Sequence, residues 1–261
     1  MKIIRFQSFR PLFLAPVLLL FPALLFAATA EQAWNSLPEP NRLGQPEFAY
    51  VVNDPALPNV LIYGDSISID YTQDLRRELA GSANVYRLYT NGRDSGSFIE
   101  QMTLMHDTMR NPELDEYWDF DWDLIHFNVG LHDLKYVRDG ELDREQGEQL
   151  ASIEQYQANL REIVGYLEQS FPGAKLVFAT TTPVPEGARG RDAGDARKYN
   201  AAALEVIQAY PDIAINDLFT LTLPHQAQWW RKPGNVHYNV TGSAAQAAQV
   251  ASVISGLLQQ P

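Results

Sequence analysis

One serine and one histidine of this chain stand where hydrolytic chemistry can be built. Ser66 lies in Gly64-Asp65-Ser66, which follows the apolar run 60–63 and precedes residues with helical spacing. A serine between a strand and a helix can attack a carbonyl group, because N–H groups at the start of the helix can bind the carbonyl oxygen. The alternative interpretation is a turn in which Asp65 and Ser66 only cap the helix.

His237 is the candidate base for this serine. It lies in the segment 234–239, Gly-Asn-Val-His-Tyr-Asn, directly before the last predicted helix. Histidine is the side chain best suited to take a proton from a hydroxyl at neutral pH. A single histidine in a loop is most often only solvated, so the prediction depends on where this loop lies.

Two further loops offer groups that could bind a carbonyl oxygen. Gly92 follows the apolar run 84–89, and a glycine there lets the backbone approach a ligand and donate its N–H. An ordinary Asn-Gly turn is the alternative. His132 follows the apolar run 123–129 in Gly-Leu-His-Asp, where it either donates to an oxyanion or caps the loop.

A metal site is the least supported hypothesis. Its candidate ligands are His126, His132, Asp133 and His237, and their spacing matches no standard ligand set. His126 lies within an apolar strand and is predicted to be a core residue. We therefore expect no metal and no cofactor.

Strands and helices alternate along the chain. Predicted strands are 60–63, 84–89, 123–129, 175–181 and 213–216, and predicted helices are 70–80, 97–110, 152–170, 195–209 and 241–258. Such alternation implies parallel crossovers, so we predict an α/β three-layer sandwich with a five-stranded, mainly parallel sheet. Ligands of such sheets bind beyond the carboxyl ends of the strands. Two long loops, 131–151 and 183–194, should overhang that edge.

The order of these segments resembles the SGNH (GDSL-type) hydrolases over roughly residues 59–258. The resemblance implies a flavodoxin-like fold and hydrolysis of carboxylic esters through an acyl-enzyme. It also implies that Ser66 is the nucleophile, that the N–H groups of Ser66 and Gly92 bind the oxyanion, and that His237 is the base.

The chain departs from this family pattern at the third oxyanion donor. The family has Asn in Gly-x-Asn-Asp, where this chain has His132. A neutral histidine can donate one N–H, so the role is chemically possible but sensitive to pH. Asn128 is a nearby substitute, although strand alternation points it elsewhere.

The second departure concerns the group that orients His237. The family usually has Asp three residues before this histidine, where this chain has Gly234. Three interpretations follow: a main-chain carbonyl or Asn235 orients the ring, Asp217 reaches it, or the enzyme is weak. We favour the first, because a carbonyl acceptor keeps the correct tautomer. Asp217 is more simply explained as structural.

The amino terminus predicts export. Three basic residues precede an apolar run over 11–27, and Ala28-Thr29-Ala30 offers a cleavage site before Glu31. We predict a signal peptide over 1–30, an irregular segment over 31–58 and a single hydrolase domain over 59–261. The protein is then periplasmic or secreted; a membrane anchor formed by an uncleaved leader is the alternative. Without cysteine, the chain can form no disulfide.

The charge of the chain limits its partners. Residues 1–30 carry three basic groups and no acidic ones, so their removal changes the net charge from −12 to about −15. This argues against nucleic acid, and against stable membrane association once the leader is cleaved. A small-molecule or glycan ester fits better. The sequence does not predict the oligomeric state.

The leading functional hypothesis is an exported serine esterase that removes O-acetyl groups from carbohydrate. Trp229, Trp230 and Tyr238 flank His237 and could stack on sugar rings, although packing of this loop onto the core is the alternative. A general short-chain carboxylesterase is the neighbouring hypothesis. A catalytically impaired glycan-binding module on the same fold is the third, and the missing Asp motivates it.

Overall fold

The computed structural model describes residues 27–260, and its centre is a parallel five-stranded sheet. Within these residues there are eight strands: β1 (Asn59–Tyr63), β2 (Asn84–Arg87), β3 (Leu124–Phe127), β4 (Tyr136–Arg138), β5 (Glu141–Leu142), β6 (Glu148–Gln149), β7 (Lys175–Ala179) and β8 (Ala214–Asn216). The main sheet has the order β2-β1-β3-β7-β8, which is that of flavodoxin-like folds. The predicted fold class is confirmed.

Helices cover both faces of this sheet. The same residues form α1 (Ala30–Asn35), α2 (Ser66–Glu78), α3 (Phe98–Met109), α4 (Ile153–Ser170), α5 (Asp195–Ile207), α6 (Leu218–Thr222), α7 (Gln226–Trp229) and α8 (Val240–Leu258). Right-handed crossovers put α2 on one face and α3, α4 and α5 on the other, and α8 packs against α2. The central strands β1 and β3 are therefore buried on both sides, which explains their continuous apolar runs.

The strand order reverses at β1, which fixes the place of a ligand. The chain leaves β1 for β2 on one side, whereas β3 pairs with β1 on the other. A crevice forms at such a switch point, outside the carboxyl ends of the strands. The loops that follow β1 and β3 meet there, and they carry Ser66 and His132.

The loop 131–151 contains structure that the sequence analysis did not predict. Strands β4, β5 and β6 form a small antiparallel sheet in the order β5-β4-β6. Asp139 and Gly140 form the turn between β4 and β5, both with positive φ (51° and 82°). An Asp-Gly pair of this kind is a strong hairpin signal.

The segment 31–58 is also more ordered than predicted. It includes most of α1 and a 3-10 turn at Pro46–Phe48. Trp34 and Phe48 are buried, and the Trp34 indole N–H donates to the Phe48 carbonyl at 2.7 Å. This segment therefore packs on the hydrolase domain.

Most of the predicted leader, residues 1–26, lies outside the described residues. Of the remainder, Thr29 caps α1, Ala30 is fully buried, and the Ala30 N–H donates to the Asp115 carbonyl at 2.9 Å. No helix among residues 27–260 combines the length and apolar character that a membrane crossing requires.

Candidate active site

Ser66 is the first residue of α2, immediately beyond β1. Asp65 caps the helix, with its Oδ1 accepting from the Ile67 N–H at 2.9 Å. The tight turn requires Gly64, because a Cβ there would lie 2.9 Å from the Ser68 Oγ. The Ser66 N–H has no hydrogen-bond partner among residues 27–260, so it is one of the free donors of the helix terminus. Capping by Asp65 therefore leaves the Ser66 N–H free.

His237 meets this serine from the far end of the chain. Its Nε2 lies 2.9 Å from the Ser66 Oγ. The loop that carries His237 is closed by a bridge between Trp230 and Tyr238 and turns at Pro233-Gly234, where Gly234 has a φ of 70°. Pro followed by a residue with positive φ is typical of a type II turn. The sequence signals of this loop therefore set the position of the imidazole.

Asn235 is the hydrogen-bond acceptor behind His237. Its Oδ1 lies 2.8 Å from the His237 Nδ1 and also accepts from the His237 backbone N–H at 2.8 Å. The backbone donor keeps the amide oxygen, and not the amide NH₂, towards the ring. Asp217 instead caps α6 and accepts from the Thr180 hydroxyl and the Thr220 N–H.

The surroundings favour the neutral form of His237. Burial lowers its pKa below the usual 6.5, while the nearby Asp70 carboxylate opposes this shift and Arg231 reinforces it. Asp70 lies on α2, one turn after Ser66, and forms an ion pair with Arg231 at 2.7 Å. Arg231 also donates to the Tyr238 carbonyl at 3.0 Å. This ion pair joins the histidine loop to the helix that carries the serine.

Gly92 lies beside the turn of Ser66. A Cβ at this position would come within 2.8 Å of the Tyr63 ring and 2.9 Å of the Gly64 oxygen, so only glycine fits. The Gly92 N–H donates to the Gly64 carbonyl at 3.0 Å, a bond that the sequence did not predict. An oxyanion at Ser66 has to share this N–H with Gly64 or displace the carbonyl.

His132 has an unusual partner in Lys135. The Lys135 Nζ lies 2.7 Å from the His132 Nδ1. Burial, and then the positive charge of Lys135, lower the pKa of His132 to about 3, so the ring is neutral. Its Nε2 forms no hydrogen bond with residues 27–260 and stays accessible to solvent.

Asp133 and Asn128 stabilise the loops around His132. Asp133 is fully buried and accepts from the N–H and hydroxyl of Ser95, which joins the loop after β3 to the loop of Gly92. The Asn128 side chain donates to the Ala179 carbonyl at 2.7 Å and so links β3 to β7. His126, by contrast, is in the core, where it pairs with Asn216 at 3.0 Å.

A buried arginine supports the Gly64 turn from below. Arg87 of β2 is fully buried and donates to the carbonyls of Leu88, Thr90 and Gly64 and to the Ser68 hydroxyl. Burial lowers the pKa of Arg87 to about 9, so the guanidinium remains charged at neutral pH. It thus ties the ends of two neighbouring strands together beneath Ser66.

The sequence of residues 62–245, more than half of the chain, matches the model of the GDSL-like Lipase/Acylhydrolase family. The chain belongs to this family. It is accordingly a carboxylic ester hydrolase of the SGNH type. No curated protein sequence matches the chain.

Several solved structures resemble this GDSL hydrolase at low identity. The lipase/acylhydrolase from Enterococcus faecalis is 14% identical with a TM-score of 0.58, over 76% of this chain and 96% of that one. The acetyl xylan esterase AlAXEase is 14% identical with a TM-score of 0.57, over 75% of this chain and 99% of that one. The C-terminal catalytic domain of the peptidoglycan O-acetyltransferase A of Streptococcus pneumoniae is 16% identical with a TM-score of 0.52, over 78% of this chain and 97% of that one. Identities this low show a shared fold.

Four polar residues of the GDSL hydrolase site were missed in the sequence analysis: Asp70, Arg87, Lys135 and Arg231. A signal existed for Asp70, since residues four apart share a helix face and Ser66 begins the helix. Lys135 follows His132 by three residues, which is the spacing of one turn. Arg87 and Arg231 were not identifiable, because the contacts that connect them to the serine turn and to α2, with Gly64 and Asp70, join residues distant in sequence.

Proposed function

We propose that this protein is an exported serine esterase that removes O-acetyl groups from carbohydrate. The observation that carries the mechanism is the 2.9 Å contact between the His237 Nε2 and the Ser66 Oγ, together with the Asn235 acceptor on the other ring nitrogen. This is the arrangement of a nucleophile, a base and an orienting group.

The reaction proceeds through an acetyl-enzyme. The Ser66 Oγ attacks the acetyl carbonyl while the His237 Nε2 takes the hydroxyl proton. The free Ser66 N–H and the His132 Nε2–H stabilise the oxyanion, and the Gly92 N–H contributes when it turns from Gly64. His237 then protonates the sugar oxygen as its bond to the acetyl carbon breaks. Water, deprotonated by His237, attacks the acetyl-enzyme carbonyl, and His237 returns the proton to the Ser66 Oγ as acetate leaves.

A cleft of about 540 Å³ beside the histidine loop supports a carbohydrate substrate. Its walls include the aromatic rings of Trp230 and Phe219 and the polar side chains of Glu186 and Gln226. Aromatic faces with polar groups between them suit sugar rings. Tyr238 is buried and takes no part, and Trp229 stacks on His225. The acetyl xylan esterase of the same fold supports acetyl as the acyl group that is transferred to Ser66.

The test compares wild type with Ser66→Ala, and with Ser82→Ala as a control at an exposed serine. Substrates are the p-nitrophenyl esters of acetate, butyrate and octanoate, and acetylated xylan with release of acetate as the signal. We expect activity on acetate and xylan that is lost only in Ser66→Ala. Phenylmethylsulfonyl fluoride should sulfonylate the Ser66 hydroxyl with loss of fluoride, and the peptide that contains Ser66 should gain the mass of the phenylmethylsulfonyl group in place of one hydrogen.

Other outcomes favour the alternatives. Rates that stay high for butyrate and octanoate, with no acetate released from xylan, identify a general carboxylesterase. Equal background rates for wild type and Ser66→Ala on every substrate contradict the serine mechanism. Trp230→Ala should raise KM for xylan and leave KM for p-nitrophenyl acetate unchanged if the cleft holds the sugar chain.

A further inference from the structure

The Lys135 ammonium and the His132 imidazole form a pair that the mechanism above does not explain. We infer that Lys135 is a positioning residue for this esterase: it holds His132 in the tautomer whose proton is on Nε2, so that the ring presents a donor to the oxyanion. The inference rests on the proposed function, and it assigns to Lys135 a role through His132 and no contact with substrate.

The direction of the hydrogen bond follows from the chemistry of the two groups. An ammonium has three donors and no acceptor. The His132 Nδ1, 2.7 Å from Nζ, must therefore accept with its lone pair. A neutral imidazole carries one ring proton, which then has to be on Nε2. Without this partner the ring can populate both tautomers, and one of them turns a lone pair towards the oxyanion.

The local backbone brings the two side chains together. The Lys135 N–H donates to the His132 carbonyl at 3.2 Å, and the Leu134 N–H donates to the Gly130 carbonyl at 3.1 Å. These successive turns fold Lys135 back over His132. Among residues 27–260, Lys135 forms no ion pair with a carboxylate. A partly buried lysine that serves only stability normally pairs with a carboxylate. The pairing of Lys135 with an imidazole instead indicates that Lys135 acts on the His132 ring.

Charged groups from four segments face this pair. Around Lys135 are Arg191, Asp65, Asp94 and Asp133. Around His132 are Lys135, Arg191, Arg93 and His237. The three cations disfavour an imidazolium, so a neutral ring with a fixed tautomer is the donor available. Burial, and then Arg191, lower the pKa of Lys135 to about 8.

The pH profile follows from these charges. Below about pH 8 the ammonium fixes the Nε2–H tautomer. Above it the neutral amine can accept a hydrogen bond from Nδ1–H, so the other tautomer becomes populated and kcat should fall on the alkaline side. In Lys135→Arg the guanidinium stays charged to a much higher pH. We therefore expect the alkaline limb of this variant to move upward.

The kinetic test is a double-mutant cycle on p-nitrophenyl acetate. Lys135→Met should lower kcat about 10-fold with KM nearly unchanged, which is less than the roughly 10²-fold loss on removing an oxyanion donor altogether. His132→Asn supplies a donor without tautomers, and in that background Lys135→Met should cost nothing. Lys175→Met is the matched control, because its Nζ binds carbonyls at the end of α8, at the opposite edge of the sheet.

The tautomer itself is read by long-range ¹H–¹⁵N NMR of the histidine rings, with His132→Asn providing the assignment. At pH 7 the wild type should show a protonated Nε2 and an unprotonated Nδ1, and Lys135→Met a mixture. If Lys135→Met costs as much in the His132→Asn background as in the wild type, the inference is overturned, and a wild-type ring protonated on Nδ1 overturns it as well. The NMR result does not depend on turnover, so an inactive wild type contradicts the proposed function alone. If Lys135→Met does not fold, Lys135→Arg decides through its pH profile.

Discussion

The Oδ1 of Asn235 accepts two hydrogen bonds from His237, one from Nδ1 and one from the backbone N–H, each at 2.8 Å. The second bond matters because an amide can present either oxygen or NH₂ to a ring. An asparagine that presents NH₂ forces the wrong tautomer on the base, at a cost of roughly 10⁴ in kcat. Here the backbone N–H fixes the oxygen towards the ring, so the neutral residue offers the ring the same kind of acceptor that a carboxylate would offer.

Substitutions of Asn235 should separate two effects on His237: the orientation of its ring and the charge of the residue that accepts from Nδ1. Asn235→Asp retains the acceptor and adds a charge that stabilises the imidazolium, so kcat should rise by roughly 10-fold. Asn235→Ala removes the acceptor, and kcat should fall by roughly 10²-fold. The measurement is kcat for p-nitrophenyl acetate. A decrease in Asn235→Asp contradicts the orientation that we describe.

The pH dependence should report the pKa of His237. In the proposed mechanism the neutral imidazole is the base, so kcat/KM should rise with pH through this pKa, which burial holds below 6.5. Asp70→Asn removes a carboxylate that raises the pKa, so the acid limb should move to lower pH. Arg231→Met removes a cation that lowers it, and the limb should move to higher pH. Asp74→Asn, one turn further along α2, is the control and should leave the limb in place.

Loss of the buried Arg87 should destabilise the fold. Arg87→Met leaves the Gly64 and Thr90 carbonyls without this donor in the core, and we expect a decrease of about 2–4 kcal/mol in the free energy of unfolding. Arg77 is largely exposed, so Arg77→Met should change stability by less than about 0.5 kcal/mol. Urea unfolding followed by circular dichroism measures both. Similar values for the two variants would refute the supporting role of Arg87.

The start of the chain should affect stability. A protein that begins at Glu31 lacks the Thr29 cap and the buried Ala30, so it should be less stable than one that begins at Ala27 by about 1–2 kcal/mol. Thr29→Ala in the longer protein isolates the cap and should cost about 1 kcal/mol. Thermal unfolding of the three proteins is the measurement. Equal midpoints would mean that residues 27–30 contribute nothing.

The sequence predicted the main sheet and the contacting pair of the site because both depend on local signals. Buried parallel strands are continuous apolar runs. Gly-Asp-Ser directly follows the first of these strands, and the histidine loop directly precedes the last helix. The small sheet in 136–149 was missed because its strands have two or three residues and no apolar period, although Asp139-Gly140 marks its turn. The ion pair of Asp70 with Arg231 joins residues 161 positions apart, and no spacing rule reaches that far.

The Gly92 N–H illustrates a different limit. The sequence identified a glycine that the backbone needs, and the structure agrees that no side chain fits there. The residue type does not reveal that the Gly64 carbonyl competes for this N–H, because the relative position of two turns sets the distance between the Gly92 nitrogen and the Gly64 oxygen.

The hydrogen bonds of Ala28 and Ala30 with Asp115 tie the start of the described chain to one edge of the sheet. Asp115 lies in the connection that enters β3, at the edge of the sheet opposite Ser66. If the leader is retained as a membrane anchor, the active site would therefore face away from the membrane. Esters that approach from the solvent would then reach Ser66, whereas esters within the bilayer would not.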